Sequence, residues 1–174
     1  VKQGAVVMSL KRLSEELDFK INYKISKVLK NIGEITVRSS LTDYAFVISD
    51  SLLDNQAKLL SEINKLQDIF YTSSRGINET NIVASASIAS IIDKLFKGEK
   101  LTHKIEHLAS ITVKLPQENI STPGVYYYIF QCLAWEGIII HEVISTTNEF
   151  TIIVSNDQID LAFKVIKDLK NKFD

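Results

Sequence analysis

One eight-residue stretch of this chain, Asn78-Glu79-Thr80-Asn81-Ile82-Val83-Ala84-Ser85, has a related second copy. The second copy begins 70 residues later and is Asn148-Glu149-Phe150-Thr151-Ile152-Ile153-Val154-Ser155. The two copies are identical at the asparagine, the glutamate, the first isoleucine and the final serine. A repeat at a fixed spacing indicates that one structural unit occurs twice along the chain.

The hydrophobic pattern around each copy predicts the same order of elements, namely strand, helix, strand, strand, helix. In the first half we predict strands at 34–39, 44–48, 69–72 and 80–84, helices at 52–66 and 88–97, and a turn at 73–76. In the second half we predict strands at 108–115, 138–145 and 150–154, and helices at 123–136 and 157–172. The predicted fold class is α+β, with two ferredoxin-like βαββα units, antiparallel sheets and the helices on one face.

A helical segment precedes the two units. Apolar residues at helical spacing predict helices at 5–17 and 23–32, with a weak interruption at 18–20. Gly33 ends the second of these helices, as a glycine cap commonly does. We therefore divide the chain into a helical segment at 1–33, a first unit at 34–107 and a second unit at 108–174.

Composition limits the class of protein. The 174 residues are 45% hydrophobic and 24% charged, which is typical of a globular protein and excludes a disordered chain. A net charge of −1 is not the overall field of a nucleic-acid binder. The single cysteine, Cys132, excludes a disulfide scaffold and suits the cytoplasm. No apolar run approaches the ~20 residues of a membrane helix, so no membrane partner is expected.

Residues 108–172 carry six short motifs in a fixed order. They are Ile111-Thr112-Val113, Ser121-Thr122-Pro123-Gly124-Val125, Leu133-Ala134-Trp135-Glu136-Gly137-Ile138, Glu142-Val143-Ile144-Ser145, Asn148-Glu149-Phe150-Thr151-Ile152-Ile153-Val154 and Ala162-Phe163-Lys164-Val165-Ile166. Together they resemble the ACT domain, and most closely the regulatory ACT units of aspartate kinases. Residues 34–98 resemble a second, degenerate unit that has Asp50-Ser51-Leu52 in place of the Pro-Gly step.

The resemblance implies a free-standing regulatory protein rather than an enzyme. ACT units bind small effectors, most often amino acids, where the strand–helix loop of one unit meets a strand of its neighbour. They usually pair edge to edge, so a homodimer or a higher homo-oligomer is expected. No cofactor is implied.

The loop at 116–124 is the strongest candidate for the effector site, because it holds both prolines and leads into a helix N-terminus. Free N–H groups and the helix dipole favour a carboxylate at such a position. We predict ligand-binding roles for Gln117, Glu118, Asn119, Ser121, Thr122, Pro123, Gly124 and Val125. Here Glu118 would hold an α-amino group, and Gly124 would let the ligand approach the backbone. The other interpretation is a capped helix after a loop, with Thr122 as the cap and nothing bound.

This chain departs from the aspartate kinase pattern at one position that contributes to ligand binding in the family. Aspartate kinase ACT units commonly carry asparagine after Gly-Ile, whereas Ile139 follows Gly137-Ile138 here. His141 and Glu142 are the nearest polar substitutes, and only one of them can face a given site because a strand alternates its faces. We include Glu142 in the predicted site, and the identity of the effector stays open.

A DNA-binding transcription regulator is the alternative function, with the ACT pair as its sensor and dimeriser. Residues 4–13 are similar to the end of a small helix-turn-helix module, which precedes paired ACT-like units in some archaeal proteins. Residues 1–32 also carry seven basic and three acidic side chains, which fits either a solvated helix face or a DNA-facing remnant. DNA would bind through the missing part of that module. A structural dimeriser, or a partner subunit of a biosynthetic enzyme, is a third interpretation.

Motifs for catalysis and metal binding are weak. His103-Lys104-Ile105-Glu106-His107 matches a zinc-peptidase pattern, but it leads directly into a predicted strand, where residues four apart lie about 13 Å from each other. His141 is predicted to be a half-buried strand residue rather than a catalytic base. No nucleophile is paired with a base, so we predict no catalytic residue and no metal site.

Overall fold

The computed structural model describes the backbone of residues 3–171 and the side chains of residues 4–13 and 23–171. Its helices are α1 (Gln3–Lys30), α2 (Leu52–Ile63), α3 (Ala89–Leu95), α4 (Val125–Trp135) and α5 (Ile159–Asn171). Its strands are β1 (Ile35–Val47), β2 (Tyr71–Arg75), β3 (Glu79–Ser85), β4 (Leu101–Lys114), β5 (Ile140–Ser145) and β6 (Glu149–Ser155). Single 3₁₀ turns lie at Ala86–Ile88 and Gln117–Ser121.

The strands form one antiparallel sheet in the order β2-β3-β1-β4-β6-β5. The predicted α+β class, with antiparallel strands and two copies of the βαββα order, is therefore confirmed. The division of the chain between residues 107 and 108 stays a prediction.

The long strands β1 and β4 join the two copies. They pair with each other from Ile35 opposite Val113 to Phe46 opposite Leu101. The second half of β1 also pairs with β3, and the second half of β4 also pairs with β6. β1 and β4 therefore take part in both halves of the sheet. One half consists of β2, β3, β1 and the start of β4, and the other consists of the start of β1, β4, β6 and β5. The crossing region is irregular, with register shifts near Leu41 and positive φ angles of 59° at Ser40 and His107.

Apolar side chains bury the helices against the outer face of each half. In the first half, Tyr44 and Ile82 pack with Leu52 and Leu59 of α2 and with Ile92 of α3. In the second half, the strands pack with α4, α5 and the last part of α1. Among the described residues of α1, Ile25, Val28 and Leu29 are buried in this core, together with Ile32 just after the end of the helix. Burial of each such side chain stabilises the fold by about 1.5–3 kcal/mol, so α1 belongs to the core of the second half.

On the sheet face that carries no helices, the two halves of the sheet contact each other. Three strands separate β3 from β5 in the sheet, so a flat sheet would hold them about 19 Å apart. Yet the Asn81 side chain on β3 donates a hydrogen bond of 2.9 Å to Glu142 on β5. A separate apolar cluster lies on this face, with Leu41, Val83, Leu108 and Ile153 all buried. The sheet therefore curls, and we call the contact between its two halves the seam.

Several predicted boundaries were wrong because polar residues lie inside the strands. The predicted strands at 34–39 and 44–48 are one strand, since Leu41 to Asp43 pair with Ser85 to Val83. The predicted turn at 73–76 is mostly strand, because β2 stays paired with β3 as far as Arg75. β4 begins at Leu101, seven residues before the predicted start, because its polar first half pairs with β1.

Two predicted helix ends also differ. The backbone is one continuous helix from Gln3 to Lys30, so no interruption is present at 18–20, whose side chains lie outside the described residues. α4 begins at Val125 with Gly124 at its N-cap, not at residue 123 with Thr122 as the cap. The Thr122 hydroxyl instead donates back to the Glu118 carbonyl oxygen at 2.8 Å.

Candidate functional site

The loop between β4 and α4 is held together by its own hydrogen bonds. Its 3₁₀ turn covers Gln117–Ser121, and both the Ser121 and Thr122 hydroxyls donate to the Glu118 carbonyl oxygen. The Asn119 N–H donates to the Pro116 carbonyl at 3.0 Å, and the Thr122 N–H donates to the Asn119 carbonyl at 3.3 Å. The loop thus has a defined shape, with the side chains of Gln117, Glu118 and Pro123 exposed.

Asn119, unlike the exposed side chains of this loop, is buried, with only 7% of its surface exposed. Its Nδ2 donates to the Tyr126 hydroxyl at 3.1 Å, and that hydroxyl lies 2.9 Å from the Ser145 Oγ at the end of β5. The Tyr126 ring packs on Phe150, with the ring centroids 5.1 Å apart. Among the described residues, the Asn119 Oδ1 is buried without a hydrogen-bond partner. Buried polar atoms are normally paired, so this oxygen can accept a donor from a bound molecule.

The N-terminus of α4 follows five residues after Asn119, and Tyr126 in its first turn holds the Asn119 amide. Gly124 has a φ of 91°, which glycine adopts readily and other residues do not, and its carbonyl accepts the first helical hydrogen bond from Tyr128. The N–H groups of the first helical turn have no partner within the helix and favour a negative group. A side chain at position 124 would lie 3.2 Å from the Cδ1 of Ile25. α1 thus covers the Cα of Gly124 on that side, where the sequence alone left the approach open.

Two of the predicted site residues have other contacts. Val125 is 1% exposed and packs in the core of the second half, so it supports the loop from below. Glu142 lies on β5, and its carboxylate accepts a hydrogen bond from Asn81 at the seam rather than facing the loop. Asn119 of this loop contacts Tyr126 and, through it, Ser145, two residues that are not in the predicted site.

The seam holds a second group of polar side chains. Asp43 is 2% exposed, its Oδ2 lies 3.4 Å from the Nε2 of His103, and its Oδ1 is buried without a partner among the described residues. Burial raises the pKa of Asp43; the His103 hydrogen bond and charge lower it, Glu142 raises it and His141 lowers it. Sequence analysis missed Asp43, because it lies between two segments that were predicted as separate strands.

Asp43 gives the fold a testable dependence on pH. Because its pKa is raised on folding, the folded chain holds a proton between the usual value of about 3.9 and the raised value, where the unfolded chain has lost it. Stability from this group is therefore lost as the pH rises through that window. We expect Asp43→Asn to become more stable relative to the parent as the pH rises from 4 to 7 in urea unfolding.

The matched control is Asp50→Asn, because Asp50 is exposed. Its difference from the parent should show no comparable slope. A flat difference for Asp43→Asn over the same range would mean that Asp43 is not held in a desolvated position at the seam.

The described part of the chain contains neither a candidate membrane helix nor a candidate metal cluster. No helix there is long and apolar enough to cross a membrane. Among the described side chains, no three or more histidine, cysteine, aspartate or glutamate residues are grouped as a metal ion would require. The residues of the zinc-peptidase pattern lie within β4, which begins before the predicted strand.

Comparison with known protein families and with curated proteins gives no match. Solved structures do match. The aspartate kinase of Clostridium acetobutylicum aligns with a TM-score of 0.63 and 17% identity, over 79% of this chain and 34% of the kinase. The regulatory subunit of aspartate kinase from Thermus thermophilus aligns with a TM-score of 0.63 and 11% identity, over 79% of this chain and 97% of the subunit. The Synechocystis aspartate kinase gives a TM-score of 0.66 at 16% identity, over 82% and 27%.

These matches show a shared fold. This chain spans 34% of the Clostridium kinase but 97% of the Thermus regulatory subunit. The solved structures that it resembles thus include a regulatory subunit of aspartate kinase, which is the kind of protein that the sequence motifs resemble.

Proposed function

We propose that this chain is a non-enzymatic regulatory protein that binds a small effector, an amino acid, at the loop between β4 and α4. One observation carries the proposal. The Asn119 Oδ1 is buried without a partner among the described residues, and the same amide donates to Tyr126, which is in the first turn of an 11-residue helix. A hydrogen-bond acceptor next to a helix N-terminus fits a ligand that has both an ammonium and a carboxylate group.

Each end of an amino acid has a partner in this arrangement. The carboxylate binds at the free N–H groups of the first turn of α4, where the helix dipole favours negative charge. The α-ammonium donates to Asn119 and is attracted by the exposed Glu118 carboxylate. Ser121 and Thr122 use their hydroxyl protons within the loop, so their oxygen atoms stay available as acceptors.

The hydrogen bonds of Tyr126 give the effector a path to the rest of the fold. Tyr126 links Asn119 to Ser145, and Ser145 ends β5, the edge strand that forms one side of the seam. A ligand that hydrogen-bonds to Asn119 holds this residue in place, and it thereby favours the arrangement of β5 seen here over others. Regulation then follows from a shift in population between arrangements of the two halves. The shared fold with an aspartate kinase regulatory subunit supports this role, and we place it in the cytoplasm.

A thermal-shift screen of the purified chain against each of the twenty amino acids tests this function. At a concentration 100-fold above the dissociation constant, ligand binding stabilises the fold by about 2.7 kcal/mol, which raises the midpoint by several degrees. We expect one amino acid, or one side-chain class, to give such a shift. A flat screen would contradict the proposal.

Glu118→Gln locates the site, because it removes the charge beside the ammonium group while Glu118 itself is exposed. The variant should keep the parent midpoint without ligand and lose most of the shift with ligand. Glu62→Gln makes the same charge change on an exposed position of α2 and should keep the full shift.

Assembly with a second copy belongs to the same proposal. Residues 4–13 of α1 are exposed throughout and include the apolar side chains of Val6, Val7, Met8, Leu10 and Leu13. An exposed apolar stretch of this kind is typical of a contact surface between proteins. Lys11 and Arg12 are exposed on the same stretch, which is the observation that favours the DNA-binding regulator as the second candidate. In both cases the loop at 117–124 is the sensor.

A further inference from the structure

The curled sheet leaves a cleft at the seam, where its two edge strands approach each other. The cleft has a volume of about 240 Å³ and is lined by residues 72–74 of β2, by Asn81 and Val83 of β3, and by residues 142–145 of β5. Consecutive residues of β2 and β5 line it, so both sides are open strand edges with free backbone groups. A second hollow of about 450 Å³ shares Ser74 and Asn81 with it and adds Glu79. We call the two together the seam groove.

The chemistry of the seam groove is acidic and rich in hydrogen-bond acceptors. Its lining includes the Glu142 and Glu79 carboxylates, the Asn78 and Asn81 amides and several hydroxyls, and it includes no lysine or arginine. A bound anion would meet two carboxylates without a compensating cation, which is strongly unfavourable. The seam groove therefore fits a positively charged ligand.

A buried carboxylate behind the seam groove strengthens this selectivity. Asp43 is directly opposite Val83 in the ladder between β1 and β3, so its side chain is on the face that carries Val83 and the cleft. The Asp43 side chain is 3% exposed and its Oδ1 has no partner among the described residues. Burial is the main cause that raises the pKa of Asp43, and the negative charge of Glu142 raises it further. An organic cation in the cleft would offset the repulsion between these two carboxylates.

The spacing of the carboxylates indicates the length of the ligand. Glu79 and Asn81 are on the same face of β3, two residues and about 7 Å apart. Asn81 contacts Glu142 at 2.9 Å across the cleft, and the Oε1 of Glu79 accepts the Thr102 hydroxyl at 2.9 Å. Since Glu142 contacts Asn81 and Glu79 is one strand repeat away from it, the two carboxylates are on the order of 7–10 Å apart. A short alkyl chain with an ammonium group at each end has this length.

We propose that the seam groove binds a small organic dication of the alkyl diamine class, with one ammonium group at Glu142 and the other at Glu79. The ammonium groups donate to the carboxylates and to the Asn81 amide oxygen, and the alkyl chain passes beside Asn81. The two carboxylates of this site are not in the loop at 117–124, and the site touches the loop's hydrogen bonds only at Ser145. By bridging β3 and β5 the ligand holds the seam closed, so it stabilises the curled form of the sheet.

Thermal shift and calorimetric titration with 1,4-diaminobutane at pH 8 test the site. At constant ionic strength, a concentration tenfold above the dissociation constant should raise the midpoint by roughly 3–6 °C. The neutral analogue 1,4-butanediol should give no shift, and the monoamine 1-aminobutane should bind more weakly. No shift with the diamine, or an equal shift with the diol, would overturn the proposal.

Matched variants separate the two ends of the ligand. Glu142→Gln keeps an oxygen for the Asn81 hydrogen bond and should weaken binding of both amines at least tenfold. Glu79→Gln should weaken the diamine alone, down to the level of the monoamine. Glu62→Gln, an exposed change of equal charge, and Glu118→Gln in the effector loop should both leave the diamine titration unchanged. Unchanged binding in Glu142→Gln would overturn the site, whatever the amino-acid screen shows.

Discussion

Replacing Leu29 by alanine is expected to lower the free energy of unfolding by about 2–5 kcal/mol. Leu29 is on α1, in the segment that sequence analysis separates from both units, yet it is 0% exposed. It packs in the same cluster as Ile111 of β4, Ile152 of β6 and Ile166 of α5. The shortened side chain would leave a cavity in the core of the second half. Urea unfolding followed by circular dichroism measures the loss.

Leu53→Ala is the control for this change. Leu53 is also a helical leucine, but it is 54% exposed on α2, so its replacement should change the free energy by less than about 0.5 kcal/mol. Similar small effects of the two substitutions would contradict the placement of α1 in the core. The apolar residues between Ile25 and Ile32 would then not be explained by packing against the second half.

The second large effect is expected at the seam. Ile153→Ala should destabilise the fold by about 2–5 kcal/mol, because Ile153 is 0% exposed on the sheet face that carries no helix. It packs there with Leu41, Val83 and Leu108, which come from three other strands. In a flat sheet this face would meet water, and the same substitution would cost little. The size of the loss therefore reports directly on the curl.

Ile77→Ala serves as the matched control, since Ile77 is 94% exposed in the turn between β2 and β3. Its replacement should leave the free energy of unfolding within about 0.5 kcal/mol of the parent. A loss below 1 kcal/mol for Ile153→Ala would mean that the two halves do not pack through this face.

The order of elements and the fold class could be predicted from the sequence, because the repeat and the apolar periodicity are local signals. Gly137 ends α4 with a φ of 71°, as a glycine after a helix commonly does.

The curl of the sheet could not be predicted, because it depends on contacts between distant residues. Asn81 and Glu142 are 61 positions apart, and nothing in either local pattern indicates that they meet. Asp43 has the same difficulty: a polar residue between two apolar runs predicts a loop, whereas its strand continues because both neighbouring strands pair with it. Only tertiary contacts can override such a signal.

The candidate loop was predictable in position but not in detail. Two prolines and a glycine mark it, and the structure places a helix N-terminus there. The role of Asn119 depends on Tyr126 and Ser145, which lie 7 and 26 residues further along the chain. The contact between Gly124 and Ile25 depends on α1, about 100 residues away. Neither contact leaves a local signal in the sequence.

The central claim is that an amino acid binds at the loop between β4 and α4, and a nuclear magnetic resonance titration tests it most directly. The ¹⁵N-labelled chain is titrated with an equimolar mixture of the twenty amino acids, and the backbone amide signals are followed. We predict saturable shifts that are largest at residues 117–128 and extend to Ser145. The claim is contradicted if no amide shifts saturably, or if the shifts are confined to residues outside the loop and the first turn of α4.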